Sequence, residues 1–371
     1  MKHQEMAWLS VWQVGLLVIA FQDAKCVQPM NVNDLGGTRR HLSSQLQPMT
    51  SRTMQPLTRI ELPGRRIRET ATKLRAAHAT GEKPSPPSNS LRLVCISDTH
   101  NTRPTLPLGD VLIHAGDLTE NGSFAEVQAE LKWLSDQPHT YKILIAGNHD
   151  VLMDDAFSTS TQSDGMASTK RNGIWNGGPS SISKIAASLW TFPSTRPALG
   201  RESDLRPRRL TIFGSPWTLR YGKSAFQYQT DDEIHWTTRF ASLDTKPDIV
   251  VTHGPPKHHL DARGGRRVGC PYLAEAIARV QPRLVVFGHI HVSYGREDVV
   301  LDGVQRAYEE VMTGWGGWDA VVWMAILVLW AQLMGWILPF NFGKQSTTLV
   351  NAAVVSGPKN DLKNDPIVVE L

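Results

Sequence analysis

The stretch Tyr141–Asp150, YKILIAGNHD, decides the fold of this chain. After Lys142 its first half is apolar and uncharged, and a run of about five such residues is typical of a buried β-strand. The strand pattern stops at Gly147, and an amide, an imidazole and a carboxylate follow directly. Open α/β sheets hold their reactive groups at this carboxyl edge of the strands. We therefore predict an α/β fold whose chemistry lies at that edge.

Four other segments repeat this arrangement of an apolar strand followed by Asp or His. Helical patterns separate several of them, as at Ser123, where Glu126 completes a predicted capping box, and this alternation indicates an α/β fold. A single strand-end Asp or His is usually a cap or a surface residue, but their joint occurrence indicates a common site. The four segments are LRLVCISDTH (91–100), DVLIHAGD (110–117), PDIVVTHG (247–254) and PRLVVFGHIH (282–291).

These five segments resemble the motif set of the calcineurin-like metallophosphoesterase superfamily. The motifs D-x-H, G-D, G-N-H-D/E, an isolated His and G-H-x-H are all present and in that order. The neighbouring residues are similar to the small metallophosphoesterase-domain branch related to cyclic-nucleotide phosphodiesterases. The resemblance covers about residues 91–371, with departures near 156–208 and 315–343. It implies a sandwich of two mixed β-sheets flanked by helices.

The resemblance also implies a dinuclear metal site and a metal-bridging hydroxide that attacks the phosphoester. A mixture of oxygen and imidazole ligands suits Mn, Fe or Zn better than Ca or Mg. A spacing of two residues points both side chains of a D-x-H or H-x-H pair to the same side of an extended backbone. One ion would take Asp98, His100, Asp117 and His291, and the other would take Asp117, Asn148, His253 and His289, with Asp117 as the bridge.

Other residues of the motifs are expected to act on the substrate. His149 is expected to face the phosphate as general acid or charge stabiliser, with Asp150 orienting its ring. A helix-cap carboxylate is an equal alternative for Asp150. Asn101, next to the first ligand pair, is expected to line the substrate side. Three histidines are interpreted as non-ligands, namely a structural His114 and the solvated or substrate-proximal His258 and His259.

The predicted function is a phosphodiesterase that acts on small nucleotide-type phosphoesters. A phosphomonoesterase or protein phosphatase would use the same metals and is the first alternative. A membrane-associated nucleotide-binding protein with little turnover is the second, although its ligand set would normally be broken and this one is whole.

Charge and cysteine usage exclude other classes. Residues 1–90 hold 12 Lys and Arg against 6 Asp and Glu, whereas residues 91–371 hold 27 against 29. The excess base lies outside the predicted domain, so no nucleic-acid binding is indicated. Three cysteines without a C-x-x-C pair predict neither a disulfide framework nor a thiolate zinc site.

The first 90 residues are predicted to be an apolar segment followed by a disordered basic linker. The apolar run Ala7–Phe21 is consistent with a signal peptide, an anchor or an unstructured tail. The N-x-S sequon at Asn121 follows Asp117 closely, and a glycan there would crowd the site. We therefore expect a cytoplasmic protein, with residues 91–371 as its metallophosphoesterase domain.

An apolar insertion at about 318–340 interrupts this domain. Its centre, Ala320–Leu338, contains no charged residue and is long enough to cross a bilayer of about 30 Å. Strands predicted at 348–355 and 366–370 belong to the same domain as His289, and a membrane span would separate them from their partners. The prediction is a helix or bent helical hairpin that lies on the domain or dips into one leaflet and holds the enzyme at a membrane surface. A buried extra helix is the alternative.

Overall fold

The computed structural model describes residues 16–19, 64–78, 90–154, 157, 188–192, 208–243, 245–337 and 346–371. The helices are α1 (Arg65–His78), α2 (Phe124–Ser135), α3 (Ile234–Ala241), α4 (Pro271–Val280), α5 (Gly303–Thr313) and α6 (Trp318–Ile337). The strands up to the first long loop are β1 (Leu16–Ile19), β2 (Arg92–Ile96), β3 (Val111–Ala115), β4 (Tyr141–Ile145) and β5 (Ser188–Phe192). The middle strands are β6 (Arg208–Ser215), β7 (Thr218–Leu219), β8 (Gln227–Tyr228), β9 (Ile249–Thr252), β10 (Ala262–Arg263) and β11 (Arg266–Arg267). The last strands are β12 (Leu284–Phe287), β13 (Gly295–Val299), β14 (Thr347–Asn351), β15 (Val355–Ser356), β16 (Asp361–Leu362) and β17 (Ile367–Glu370).

Two mixed sheets form the centre of the molecule. The first has the order β1-β4-β3-β2-β17, in which only the closing strand β17 runs antiparallel to its neighbour. The second has the order β13-β14-β12-β9-β6-β5, in which both edge strands are antiparallel to their neighbours. The parallel strands of each sheet end at a common edge, and this edge carries the polar motifs.

The sheets pack face to face through alternate side chains of their strands. Leu93 and Cys95 of β2 point into the core between the sheets, where they join Ile249 and Val251 of β9. The residues between them point outward, because successive strand residues face opposite sides. Val94 and its neighbours pack under α2, while the outer face of the second sheet packs under α3 and α4. The predicted α/β sandwich of two mixed sheets with flanking helices is therefore confirmed.

Most predicted elements are confirmed with small shifts in their ends. The closing strands expected at 348–355 and 366–370 are β14 and β17. The capping box at Ser123 is present, with both reciprocal hydrogen bonds to Glu126. The sequence pattern predicted neither β13 nor α5, whose residues mix charged and apolar side chains.

Two segments from the first 90 residues contact the domain. β1 pairs in parallel with β4 at the edge of the first sheet. α1 lies within the segment predicted to be a disordered basic linker, yet it is helical and packs against α5 and α6 with Ala71 fully buried. Most of the remaining first 90 residues, including most of the apolar run Ala7–Phe21, lie outside the described residues.

His259 corrects the interpretation that it is solvated. It is 2% exposed, and its two ring nitrogens lie 2.6 Å from Glu297 Oε1 and 3.0 Å from Glu309 Oε1. Burial opposes protonation, but the two carboxylates outweigh it and raise the pKa of His259 to about 9. The protonated ring thereby ties the loop after β9 to β13 and α5.

Replacing His259 with Gln is expected to destabilise the chain in a pH-dependent way. The pKa of His259 is higher in the folded chain than its ordinary value of about 6.5, so its stabilisation is fully present below pH 6.5 and is lost as the pH rises through about 9. We expect His259→Gln to lower the free energy of unfolding by on the order of 2 kcal/mol more at pH 7 than at pH 9.5. Urea unfolding of the protein at both pH values, after a chelator has removed any bound metal, measures this difference.

A matched control is His235→Gln. Burial lowers the pKa of His235 to about 3, so this ring is neutral in both states above pH 7. Its contribution to stability should therefore be the same at pH 7 and pH 9.5. If His259→Gln lowers the free energy of unfolding equally at both pH values, the ring is not protonated between its two glutamates.

Candidate metal centre

Five loops bring the predicted ligands to one edge of the two sheets. They follow β2, β3 and β4 of the first sheet and β9 and β12 of the second. The side chains form two clusters, each with ligand atoms within 4.8 Å of one another. One cluster is Asp98, His100 and His291, and the other is Asp117, His253 and His289. All seven predicted ligands thus lie together, with Asn148 beside the second cluster.

Asp98 joins the two sheets within the first cluster. Its carboxylate accepts a hydrogen bond from the backbone N–H of His289, at 3.0 Å, and lies 3.1 Å from His291 Nε2. Since Asp98 follows the first sheet and both histidines follow the second, the cluster forms only when the sheets are packed correctly.

Asp117 lies between the two clusters. Its Oδ2 atom is 3.2 Å from His253 Nε2 in one cluster and 3.7 Å from His100 Nε2 in the other. Its Oδ1 atom accepts a hydrogen bond from the backbone N–H of His149 at 2.8 Å. One carboxylate oxygen is therefore held in place by the backbone, while the other faces an imidazole of each cluster.

The orientation of His253 suits metal binding. Its Nδ1 lies 2.9 Å from the carbonyl oxygen of Ala115, so Nδ1–H donates there and Nε2 faces the site. A hydrogen bond of this kind fixes the tautomer of metal-binding histidines. Nε2 lies 3.0 Å from Asn148 Oδ1 as well as near Asp117. The neutral ring would therefore present one donor atom to an ion.

Four of the predicted ligands have a left-handed backbone. Their φ angles are 53° for Asp98, 43° for His100, 53° for Asp117 and 67° for His289. Such angles are uncommon outside glycine, although Asp, Asn and His adopt them more readily than most residues. Strained backbone of this kind concentrates at functional sites. Its occurrence at four ligands indicates that the loops are shaped to direct these side chains.

Two motif glycines allow the loops to approach this closely. A Cβ atom on Gly147 would lie 2.3 Å from the backbone nitrogen of Asp117. A Cβ atom on Gly288 would lie 2.0 Å from Asp98 Oδ2. Both distances are far below normal contact, so no other residue fits there without moving a ligand.

The charges of the site are those of a cation-binding centre. Burial raises the pKa of Asp98, but the hydrogen bond and charge of His291 outweigh it and hold the pKa at about 2. Burial also raises the pKa of Asp117, but the charge and hydrogen bond of His253 outweigh it and hold this pKa below its ordinary value. Burial opposes protonation of His253, but Asp117 raises its pKa to about 9. Without metal, the charge of Asp117 is thus balanced by a proton on His253, and metal binding would release that proton.

The residues therefore fit divalent ions by type and placement. Two carboxylates, an amide oxygen and four imidazoles converge from five loops. The two ring nitrogens of buried His100 have no hydrogen-bond partner within the described part of the chain, and a buried polar atom of this kind calls for a ligand.

His149 lies beside the ligands. Its Nδ1 is 2.7 Å from the carbonyl oxygen of Glu120, so Nδ1–H donates there and Nε2 remains available. Its ring meets that of His100 edge-on, with centroids 4.7 Å apart. It also belongs to a third group that can hold an ion, with His100 and Glu120.

The structure corrects the expectation that Asp150 orients the ring of His149. Its buried carboxylate instead accepts hydrogen bonds from the backbone N–H groups of Leu118, Thr119 and Gly147 and from the Thr119 hydroxyl. Nor does its side chain cap the short helical turn that follows it. Asp150 is therefore a positioning residue that holds the Asp117 loop against the loop that carries His149.

The structure also shows the surroundings of Asn101 and His114. Asn101 is exposed and donates a hydrogen bond to Glu126 at the start of α2, 2.8 Å away, and its substrate role stays a prediction. His114 is fully buried and lies 3.0 Å from the Thr99 hydroxyl, as expected of a structural histidine.

Sequence reasoning missed two residues at the site. Glu120 Oε2 lies 3.0 Å from His100 Nδ1, outside hydrogen-bond geometry. Tyr221 is 57% exposed, and its ring centroid lies 5.1 Å from that of His289. Glu120 follows Asp117 by three residues, which is a usable signal. Tyr221 lies in a loop far from every motif, and no sequence pattern points to it.

Comparison with known families and proteins agrees with this geometry. The family model described as calcineurin-like phosphoesterase matches residues 91–293. Metallophosphoesterase domain-containing protein 1 of Homo sapiens is 37% identical over 230 residues, covering 60% of this chain and 66% of that protein. A UPF0046 protein of Caenorhabditis elegans is 31% identical over 223 residues, covering 59% of this chain and 70% of that protein.

Another relative is a much longer protein with a different kind of name. The probable rhamnogalacturonate lyase C of Emericella nidulans is 37% identical over 285 residues, which are 76% of this chain but 24% of that protein. Among solved structures, a Thermus thermophilus protein aligns with a TM-score of 0.31 and 14% identity, covering 57% of this chain and 85% of that one.

Proposed function

Because this chain belongs to the calcineurin-like phosphoesterase family, we propose that it is a metal-dependent phosphodiesterase for small nucleotide-type substrates with a dinuclear metal site. The clusters around His291 and His253 would each hold one divalent ion. Asp117 would be the shared ligand, and Asn148 would complete the second site.

One observation carries the dinuclear proposal. The Oδ2 atom of Asp117 faces His100 of one cluster and His253 of the other, at 3.7 and 3.2 Å. A carboxylate in that position serves two ions, whereas a mononuclear site would need it in only one cluster.

The residues around the clusters would bind and protonate the substrate. When bound, divalent ions at such sites supply a water of lowered pKa and neutralise the charge of the phosphoryl group. His149 donates Nδ1–H to Glu120 and keeps Nε2 free, so it can hold a proton for the leaving oxygen. Asp150 keeps this loop against the Asp117 loop through its four hydrogen bonds.

Tyr221 supports a nucleotide-type substrate. Its exposed ring stands beside the ligand His289, where a base attached to a bound phosphate could stack. Stacking of a base on an aromatic side chain contributes about 1–3 kcal/mol. The ring favours a substrate that carries a base, whereas the choice between a phosphodiesterase and a phosphomonoesterase or protein phosphatase, which would use the same metals, depends on the ester that is hydrolysed.

Replacing Tyr221 with Ala is expected to lower kcat/KM for a cyclic nucleotide by roughly tenfold or more, because the base loses its stacking surface. The same variant should hydrolyse a cyclic ribose phosphate that lacks the base at the wild-type rate. Tyr221→Phe, which keeps the ring, should behave like the wild type. These assays would be run with Mn, Fe, Zn and Mg after chelation.

The comparison of two simple esters tests the reaction class. A phosphodiesterase should prefer bis-p-nitrophenyl phosphate to p-nitrophenyl phosphate. A clear preference for the monoester, with cyclic nucleotides left intact, would contradict the proposal and favour a phosphomonoesterase.

A further inference from the structure

Helix α6 is apolar on nearly every side, yet it is mostly uncovered. Within the described residues it is the one helix long and apolar enough to cross a membrane, and only 22% of its apolar window is buried. A helix that is hydrophobic all round is normally enclosed by a large core or by lipid. The alternative of a buried extra helix therefore does not account for most of its surface.

The large apolar side chains that are exposed from Val322 onward form one continuous face of α6. At about 100° per residue they span an arc of roughly 140°, whereas the buried residues lie on the opposite side. The buried stripe is Ala320, Val321, Met324 and Val328. The exposed face is Val322, Trp323, Ile326, Leu329, Trp330, Leu333, Trp336 and Ile337, each at least 46% exposed.

The buried stripe ties α6 to the enzyme. It packs on α1 and α5 in a separate cluster of apolar residues that includes Ala71 and Val311. β13 precedes α5 and β14 follows α6 along the chain, and the two strands pair with each other in the second sheet. A helix that crossed a bilayer would leave this packing and separate β14 from β13. The topology therefore favours a helix that stays on one side of a membrane.

Charge and side-chain type identify what covers the exposed face. Its three tryptophans are the residues that prefer the membrane interface. No charged residue occurs from Ala320 to Ile337. The neighbouring α1 carries five basic residues and one acidic residue, and Arg66 and Lys73 of this helix are exposed. Because α1 packs directly against α6, its net positive charge makes the potential around this part of the molecule positive, which favours a membrane surface of negative charge.

We propose that the exposed face of α6 rests in the interface of one leaflet of an anionic bilayer, with the helix parallel to the membrane and α1 above anionic headgroups. An exposed apolar face of this size marks an interaction surface. Apolar burial combined with electrostatic attraction to anionic lipid is the usual basis of such binding. The proposal does not depend on which reaction the protein catalyses. It assigns the protein a location at a membrane surface.

Flotation of the full chain with vesicles tests the proposal. The chain should float with phosphatidylcholine vesicles that contain phosphatidylserine, and more weakly with phosphatidylcholine alone. The double variant Trp323→Gln, Trp330→Gln should reduce the vesicle-bound fraction at least tenfold. The double variant Arg66→Glu, Lys73→Glu should remove the preference for phosphatidylserine, with roughly a fivefold loss for each charge removed.

A matched control changes exposed apolar residues elsewhere. Leu108→Gln, Ile234→Gln replaces two side chains that are 72% and 69% exposed, and it should float like the wild type. All variants should keep wild-type turnover of a soluble phosphoester, which shows that they are folded. Failure of the wild type to bind either vesicle would overturn the proposal. A wild-type dimer that Trp323→Gln, Trp330→Gln converts to a monomer would also overturn it, because a second copy would then cover the face.

Discussion

Replacing Asp117 with Ala should reduce metal-dependent phosphoester turnover by several orders of magnitude. Its two oxygens reach the N–H of His149 on one side and an imidazole of each metal cluster on the other. Without this carboxylate neither cluster keeps its full ligand set, and activation of water by metal is lost. Initial rates on bis-p-nitrophenyl phosphate over a range of metal concentrations measure the effect.

An exposed carboxylate that is not a predicted ligand provides the control for Asp117→Ala. The side chain of Asp365 is exposed, so Asp365→Ala should keep both metal content and rate. Circular dichroism of both variants separates a lost site from a lost fold. Near-normal metal-dependent turnover in purified, folded Asp117→Ala would show that the residue is not a shared ligand.

His149→Ala is expected to keep its metals and lose rate. The side chain donates to the Glu120 carbonyl and lies at the edge of the His100 ring, beside the two clusters rather than within either. A general acid typically contributes about 10²–10⁴-fold to the rate, so a loss in this range is expected. The measurements are metal content by mass spectrometry and kcat on the same preparation.

The third group of ligand-type residues gives the competing interpretation of His149. If His149, His100 and Glu120 held an ion, His149→Ala would lose metal in proportion to activity, and Glu120→Gln would do the same. In our account Glu120→Gln keeps its metal content, because Glu120 supplies only its backbone carbonyl to His149. Parallel loss of metal in both variants would make His149 a ligand.

The cluster of candidate ligands could be predicted from sequence because every predicted ligand follows directly after one of five strands. The carboxyl ends of parallel strands meet at one edge, so a local pattern is enough to place Asp117, His253 and His291 together. The same reasoning placed β14 and β17 in the sheets, since their apolar runs are strong and short. These features depend on local sequence and on a general rule of sheet geometry.

Contacts between distant segments could not be predicted in this way. Asp150 binds backbone groups more than thirty residues away at Leu118 and Thr119, so its partners depend on how two loops pack. His259 meets glutamates on β13 and α5, two elements that the sequence pattern did not indicate. For α6, an all-apolar sequence gives no sign of which face is buried, and only its packing against α1 and α5 shows this.

The number of metal ions per chain tests the central claim most directly. The protein would be stripped with a chelator, titrated with Mn, Fe or Zn, and analysed for bound metal and turnover at each step. Our account predicts saturation at two ions per chain, with full phosphodiesterase activity only when both are bound. Saturation at one ion with full activity, or full activity in excess chelator, would contradict it.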